Sequence, residues 1–105
     1  MAPADLVESN FAYTAVINSI FDERPEITNV ILTKTDMNVN TQGVTGNTPL
    51  MWAIVFGKKS AAKILLKAGA DCSFVNEKGE TAYALAFQKG LMDVVQLLRS
   101  KGCKN

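Results

Sequence analysis

Catalysis at neutral pH needs a poised base, an activated nucleophile or a metal, and the side chains that would supply them are scarce or scattered along this chain. No histidine occurs among the 105 residues, so nucleophilic schemes that rely on a histidine base are closed. The two cysteines, Cys72 and Cys103, sit in neither a CxxC nor a Cys/His cluster, which removes the usual zinc-ligand spacing. The acidic residues Asp5, Glu8, Asp22, Glu23, Glu26, Asp36, Asp71, Glu77, Glu80 and Asp93 are spread over turns and helix starts, where capping and solvation account for them. Gly43-Val44-Thr45-Gly46 lacks the Lys-Ser/Thr of a phosphate-binding loop and reads as a hairpin tip. No catalytic residue, cofactor site or metal site is expected, and the chain is not read as an enzyme.

Composition points to one small domain over residues 1–105. Forty-eight per cent of the residues are hydrophobic, and 11 basic residues against 10 acidic ones leave a net charge of +1. Such a balance offers no basic stripe for nucleic acid. The first residues show no basic segment followed by an apolar core, and no apolar run approaches the ~18 residues that span a bilayer. The expected setting is the cytoplasm or nucleus, with no membrane contact. There Cys72 would serve as a small buried hydrophobe and Cys103, near the end, would be an exposed free thiol.

What organises the chain is the stretch from Gly46 to Asp71. Thr48 can cap a helix, Pro49 suits its first position, and Gly57 can end it in the left-handed conformation. A second helix follows with Ala61, Ala62, Ile64, Leu65 and Leu66, more apolar surface than one solvated face allows. Shifted by 33 residues, Gly46, Thr48, Ala53, Gly57, Leu65 and Gly69 fall on the identical Gly79, Thr81, Ala86, Gly90, Leu98 and Gly102. Upstream, Leu6, Val7, Phe11, Tyr13, Val16, Ile17, Ile20 and Phe21 recur mostly at spacings of three and four, which predicts one long helix. In the same 33-residue register Ile17, Ile20, Ile31 and Leu32 meet Leu50, Ala53, Ile64 and Leu65, while Ala15, Arg24 and Asp36 replace Thr48, Gly57 and Gly69. Asp36 tolerates the left-handed conformation and can end that unit's second helix. Helices are expected near 4–21, 26–34, 49–56, 59–67, 82–89 and 92–100, with Asn38 to Gly46 and Asp71 to Gly79 as loops or hairpins. The cations Arg99, Lys101 and Lys104 would help solubilise the last unit and suit a terminated stack.

The period and the Gly-Asn-Thr-Pro-Leu opening at Gly46 to Leu50 resemble the ankyrin repeat. The resemblance implies an all-α solenoid of helix–turn–helix units with short hairpin loops, in three units of about 4–37, 38–70 and 71–105. The histidine that usually follows Thr-Pro-Leu is replaced by Met51 and Ala84, so weak polar coupling between units is expected. The function implied is non-catalytic binding of a protein partner, the chain itself being monomeric. The alternative is a terminal or capping part of a larger protein whose activity lies elsewhere.

By the same resemblance the partner binds the concave side. Its residues here are the pairs Asp22-Glu23, Val55-Phe56 and Gln88-Lys89 before each helix end, with Trp52 on the middle unit. Around them stand Gln42, Val44, Thr45 and Asn47 on one hairpin and Val75, Glu77, Lys78 and Glu80 on the next. Phe56 can serve as an apolar anchor or fold back as core. Asn40, after Asn38 and Val39, resembles the hairpin asparagine that asparaginyl hydroxylases modify in this family; the plainer expectation is a hydrogen bond within the turn.

Overall fold

The computed structural model describes residues 4–103, with side chains from residue 11 onward. Leu6, Val7, Asp5, Glu8 and Lys104 lie outside the described side chains. Six helices follow one another, α1 (Ala4–Phe21), α2 (Pro25–Lys34), α3 (Pro49–Val55), α4 (Lys59–Lys67), α5 (Ala82–Gln88) and α6 (Met92–Ser100), with no strand among the described residues. Each falls within a residue of its expected bounds. Local chemistry explains why. The Thr48 hydroxyl accepts the Met51 N–H at 3.3 Å and the Thr81 hydroxyl accepts the Ala84 N–H at 3.1 Å, so two of the helix starts are satisfied by their own N-caps.

The helices pair as α1/α2, α3/α4 and α5/α6, and the pairs stack so that α3 lies between α1 and α5 and α4 between α2 and α6. The middle pair is therefore covered on both sides. Its Leu50, Met51, Ala53, Ile54, Ala62 and Leu65 are fully buried, joined from the flanking units by Val16, Ile20, Ala82, Ala86, Val95 and Leu98. Phe11 and Phe21, counted from the sequence into the apolar face of α1, are exposed.

The first unit follows a register one residue different from the expected one. The left-handed residue that ends α1 is Glu23 (φ 57), not Arg24, and it matches Gly57 (φ 70) at an offset of 34. The closing bonds agree, Arg24 N–H to the Ser19 carbonyl at 2.9 Å and Lys58 N–H to the Ala53 carbonyl at 2.8 Å. Val16, Ser19, Ile20, Thr28 and Ile31 thus occupy the positions of Leu50, Ala53, Ile54, Ala62 and Leu65. Two buried hydroxyls stand where the second unit has alanines, and they satisfy each other: Ser19 Oγ and Thr28 Oγ1 are 2.6 Å apart, and Ser19 also donates to the Val16 carbonyl. Asp36 does not take the left-handed turn expected of it. α2 ends instead on extended Thr35 (φ −120, ψ 163), and one extra residue, Met37, returns the chain to the 33-residue register while packing against the core.

Both expectations for the cysteines are overturned. Cys72 and Cys103 form a disulfide with a Cα–Cα distance of 5.9 Å, Cys103 is only 2% exposed, and no free cysteine is found among the described residues. The cause is the stack itself. The pair is 31 residues apart, close to one repeat, so the chain leaving α6 runs beside the chain that left α4. Gly102 (φ 85) turns it inward, and the Cys103 N–H closes on the Leu98 carbonyl at 2.9 Å.

Candidate partner-binding surface

The loops that precede α3 and α5 are tied to each other without a β-ladder. Within them, Gly43 N–H donates to the Asn47 carbonyl and Asn76 N–H to the Glu80 carbonyl, both at 3.1 Å. Between them, Glu77 N–H meets the Thr45 carbonyl at 3.1 Å, and Gln42 Nε2 donates to the Val75 carbonyl at 2.8 Å. Asn76 Nδ2 reaches both Asn47 Oδ1 at 2.9 Å and Glu80 Oε1 at 3.0 Å. Asn40 Oδ1 accepts the Asp71 N–H at 2.8 Å, so its amide bridges two loops instead of closing its own turn. This lattice, with the ion pairs Lys58–Glu23 at 3.2 Å and Lys59–Asp93 at 2.9 Å, couples the units by polar contacts that the missing histidines did not suggest.

Most of the loop residues expected at a partner surface are exposed. Val44 is 96% exposed at its tip and Val75 is 50% exposed, with Gln42, Thr45, Glu77 and Lys78 also in solvent. Glu80 is half-buried and held by Asn76. Asn47 is the exception. Only 8% exposed, it is a joint of the framework, its carbonyl accepting from both Gly43 and the Tyr13 hydroxyl. On the helix ends Asp22, Glu23, Gln88 and Lys89 are exposed, whereas Val55 and Phe56 are half-buried.

An aromatic run that the sequence reading did not assemble crosses the first two units. The Phe21 ring meets the Phe56 ring edge-on at 5.1 Å, Phe56 stacks on Trp52 at 5.4 Å, and Trp52 Nε1 donates to the Tyr13 hydroxyl at 2.9 Å. Edge-on and offset pairs of this kind are favourable beyond their buried area. Tyr13 in turn donates to the Asn47 carbonyl at 2.9 Å. Burial pushes its phenol above the ordinary tyrosine value, with the hydrogen bond from Trp52 opposing that shift. Phe21 remains 62% exposed at the open end of the run. The one-residue register error hid this: Phe21 aligns with Val55, one position before the pair Asp22-Glu23.

Elsewhere the chemistry is that of a framework. The Asp71 carboxyl is held below its ordinary value by hydrogen bonds from Ser73, and Asp93 by its bond to Lys59. No group of three or more His, Cys, Asp or Glu among the described residues is placed to hold a metal. A cavity of about 290 Å³ between the first two units is lined by Ser19, Arg24, Thr28, Lys58 and Lys59 among others, but its buried hydroxyls already have partners.

Helix pairs stacked in register, with a loop before the first helix of the second and of the third pair, define a helical repeat fold. The family described as ankyrin repeats in three copies matches residues 6–105, and the chain belongs to that family. Ankyrin repeats are generally protein-interaction modules. Among curated proteins, the chain is 34% identical over 70 residues to Notch-regulated ankyrin repeat-containing protein A of Danio rerio, covering 67% of this chain and 62% of that protein. It is 39% identical over 62 residues to a putative ankyrin repeat protein of Rickettsia bellii, covering 59% of this chain and 37% of the other. A match to palmitoyltransferase ZDHHC13 of Mus musculus, 40% identical over 55 residues, covers 52% of this chain and 9% of the enzyme. The chain thus spans less than two thirds of the length of the curated relatives it matches. No described helix is long and apolar enough to cross a membrane.

Proposed function

We propose that the chain is a non-catalytic module that binds a protein partner on the side carrying the loop tips and the ends of the first helices, the concave side in this family. The observation that carries this reading is the aromatic run ending in Phe21, 62% exposed while its ring is held by Phe56. A large ring fixed in place but open to solvent loses little side-chain freedom on binding, which is what interface anchors require. Asp22 and Glu23 at one end and Lys89 at the other would orient a partner of opposite charge order. Asn47 is removed from this surface by its burial.

The test is affinity capture from the native cell with quantitative mass spectrometry, comparing the wild-type chain with Phe21→Ser, with Val55→Ser/Phe56→Ser and with the control Lys63→Ala. Proteins enriched by the wild type and the control, and lost with the folded aromatic variants, are expected. Equal capture by all four would exclude this surface. A second reading, that the chain is one part of a larger protein, is favoured by its match to 9% of the palmitoyltransferase; the length of the natural transcript decides it.

A further inference from the structure

Internal repetition shows what the junction closed by Cys72 and Cys103 is like without a bond. Shifted back by 33 residues, these positions are Val39 and Ala70, and the backbone around the two pairs agrees. Ala70 N–H closes on the Leu65 carbonyl at 3.0 Å, where Cys103 N–H closes on that of Leu98 at 2.9 Å. The Asn38 side chain accepts the Asn40 N–H at 2.8 Å, where the Asp71 carboxylate accepts the Ser73 N–H at 2.8 Å. Val39 and Ala70 are half-buried and pack against the core with no covalent link. The disulfide is thus added to a geometry that apolar packing alone reaches one unit earlier, and two thiols, which pack as small hydrophobes, can hold it in turn.

What the bond adds is a fixed root for the loop before α5. Next to Cys72, the Asp71 N–H meets Asn40 Oδ1 at 2.8 Å, and three residues on the Val75 carbonyl accepts from Gln42 at 2.8 Å. Both bonds are exposed, as is the contact of Glu77 with Thr45, and water competes for such groups so that each holds the loop only weakly. Over residues 71–80 the hold on the core comes from Cys72 and Phe74. The two sulfurs are not equally reachable. Cys103 is 2% exposed, whereas Cys72 is half-buried.

We propose that Cys72–Cys103 is a reversible redox tether that sets how firmly the loop before α5 is held. A thiolate of a low-molecular-weight thiol attacks Cys72 Sγ, the more accessible sulfur; the S–S bond breaks and its electron pair leaves on Cys103 Sγ, which takes up a proton. A second reductant thiolate then attacks the mixed disulfide and releases Cys72 as a thiol, so the reductant departs as its own disulfide and the chain gains two electrons and two protons. Oxidised, the loop is fixed at its root. Reduced, it is held by Phe74, by the packed thiols and by exposed hydrogen bonds, and it opens more often. Val75, Glu77 and Lys78 ride on this loop, so the redox state also sets the order of half the candidate partner surface, a consequence that rests on the function proposed above.

The test is to equilibrate the full chain in glutathione buffers of graded composition without denaturant, starting from oxidised and from reduced protein, and to trap thiols by alkylation. Intact mass, circular dichroism and hydrogen exchange are then read on each sample. The same fraction reduced is expected from both directions, with the helical spectrum kept and exchange over residues 71–80 faster by about tenfold or more, while residues 38–47 change much less. Cys72→Val/Cys103→Ala, which installs the residue types of the earlier junction, should match the reduced chain in every buffer. A bond that opens only in denaturant, a reduced chain or double variant that loses its helices, or a loop that exchanges alike in both states overturns the proposal. Each readout is taken on the chain without a partner, so the tether is decided separately from the binding surface.

Discussion

The indole Nε1 of Trp52 donates to the hydroxyl of Tyr13 at 2.9 Å across 39 residues of sequence. The Tyr13 hydroxyl in turn donates a hydrogen bond to the Asn47 carbonyl at 2.9 Å. One phenol therefore joins α1, α3 and the loop before α3, the coupling that a histidine after Thr-Pro-Leu would have supplied in this family.

Replacing Tyr13 by Phe should cost about 1–2 kcal/mol, because two partly buried partners lose their bond while the ring stays. The pH dependence gives a sharper test. Tyr13 is raised by burial in the folded state, and a tyrosine in the unfolded chain titrates near 10. Below about pH 10 both states keep the proton and the contribution is whole; above it the unfolded chain releases its proton first, so stability falls as pH rises toward the folded value. Urea unfolding followed by the fluorescence of Trp52, the one tryptophan of the chain, should show a smaller alkaline loss for Tyr13→Phe than for wild type. Parallel profiles would mean that the phenol is not buried as described.

The second and third units were legible because their signals are local. Thr48 and Thr81 cap, Pro49 starts a helix and glycines end them, and each of these acts within a few residues. The first unit was harder. Glu23 takes a conformation that glycine takes elsewhere, so aligning Arg24 with Gly57 moved the unit by one residue and hid Phe21 from the surface. The contacts of Tyr13 with Trp52 and of Cys72 with Cys103 depend on how units stack, and periodicity in one chain does not say which side chains meet across that stack.

The middle pair should be the most sensitive to loss of volume. Leu65 is fully buried in α4, and Leu65→Ala should cost about 2–5 kcal/mol as a large-to-small core change. Exposed Lys63 on the same helix should tolerate alanine within about 0.5 kcal/mol. Chemical denaturation of the two variants checks the contrast.

The disulfide closes the third unit into a covalent loop. Two cysteines 31 residues apart restrict the unfolded chain by about 3–4 kcal/mol in the loop-entropy account. The staple sits on a unit that has a described neighbour on one side only, and a unit covered on one side opens before one covered on both. Reduction, or Cys72→Ala/Cys103→Ala, should therefore lower amide protection in α5 and α6 more than in α3 and α4. Hydrogen exchange by mass spectrometry reads this directly. Uniform loss along the chain would show that the bond stabilises the stack as a whole.

Gly46 and Gly79 end equivalent loops with the same left-handed backbone, φ 81 and φ 75, yet their surroundings differ. A Cβ on Gly46 would lie 2.9 Å from the Glu77 nitrogen and 3.0 Å from the Asn76 Cα, whereas one on Gly79 would meet nothing within 4 Å. The first loop leans on the second through the Glu77 to Thr45 bond, and among the described residues no further loop lies against the second. Gly79→Ala should then cost about 1 kcal/mol, the strain of the backbone alone. Gly46→Ala carries the same strain and must also push two backbones apart, so it should cost roughly 2–3 kcal/mol and speed exchange at the Glu77 amide. Equal costs for the two substitutions would show that the loops do not touch as closely as their hydrogen bond requires.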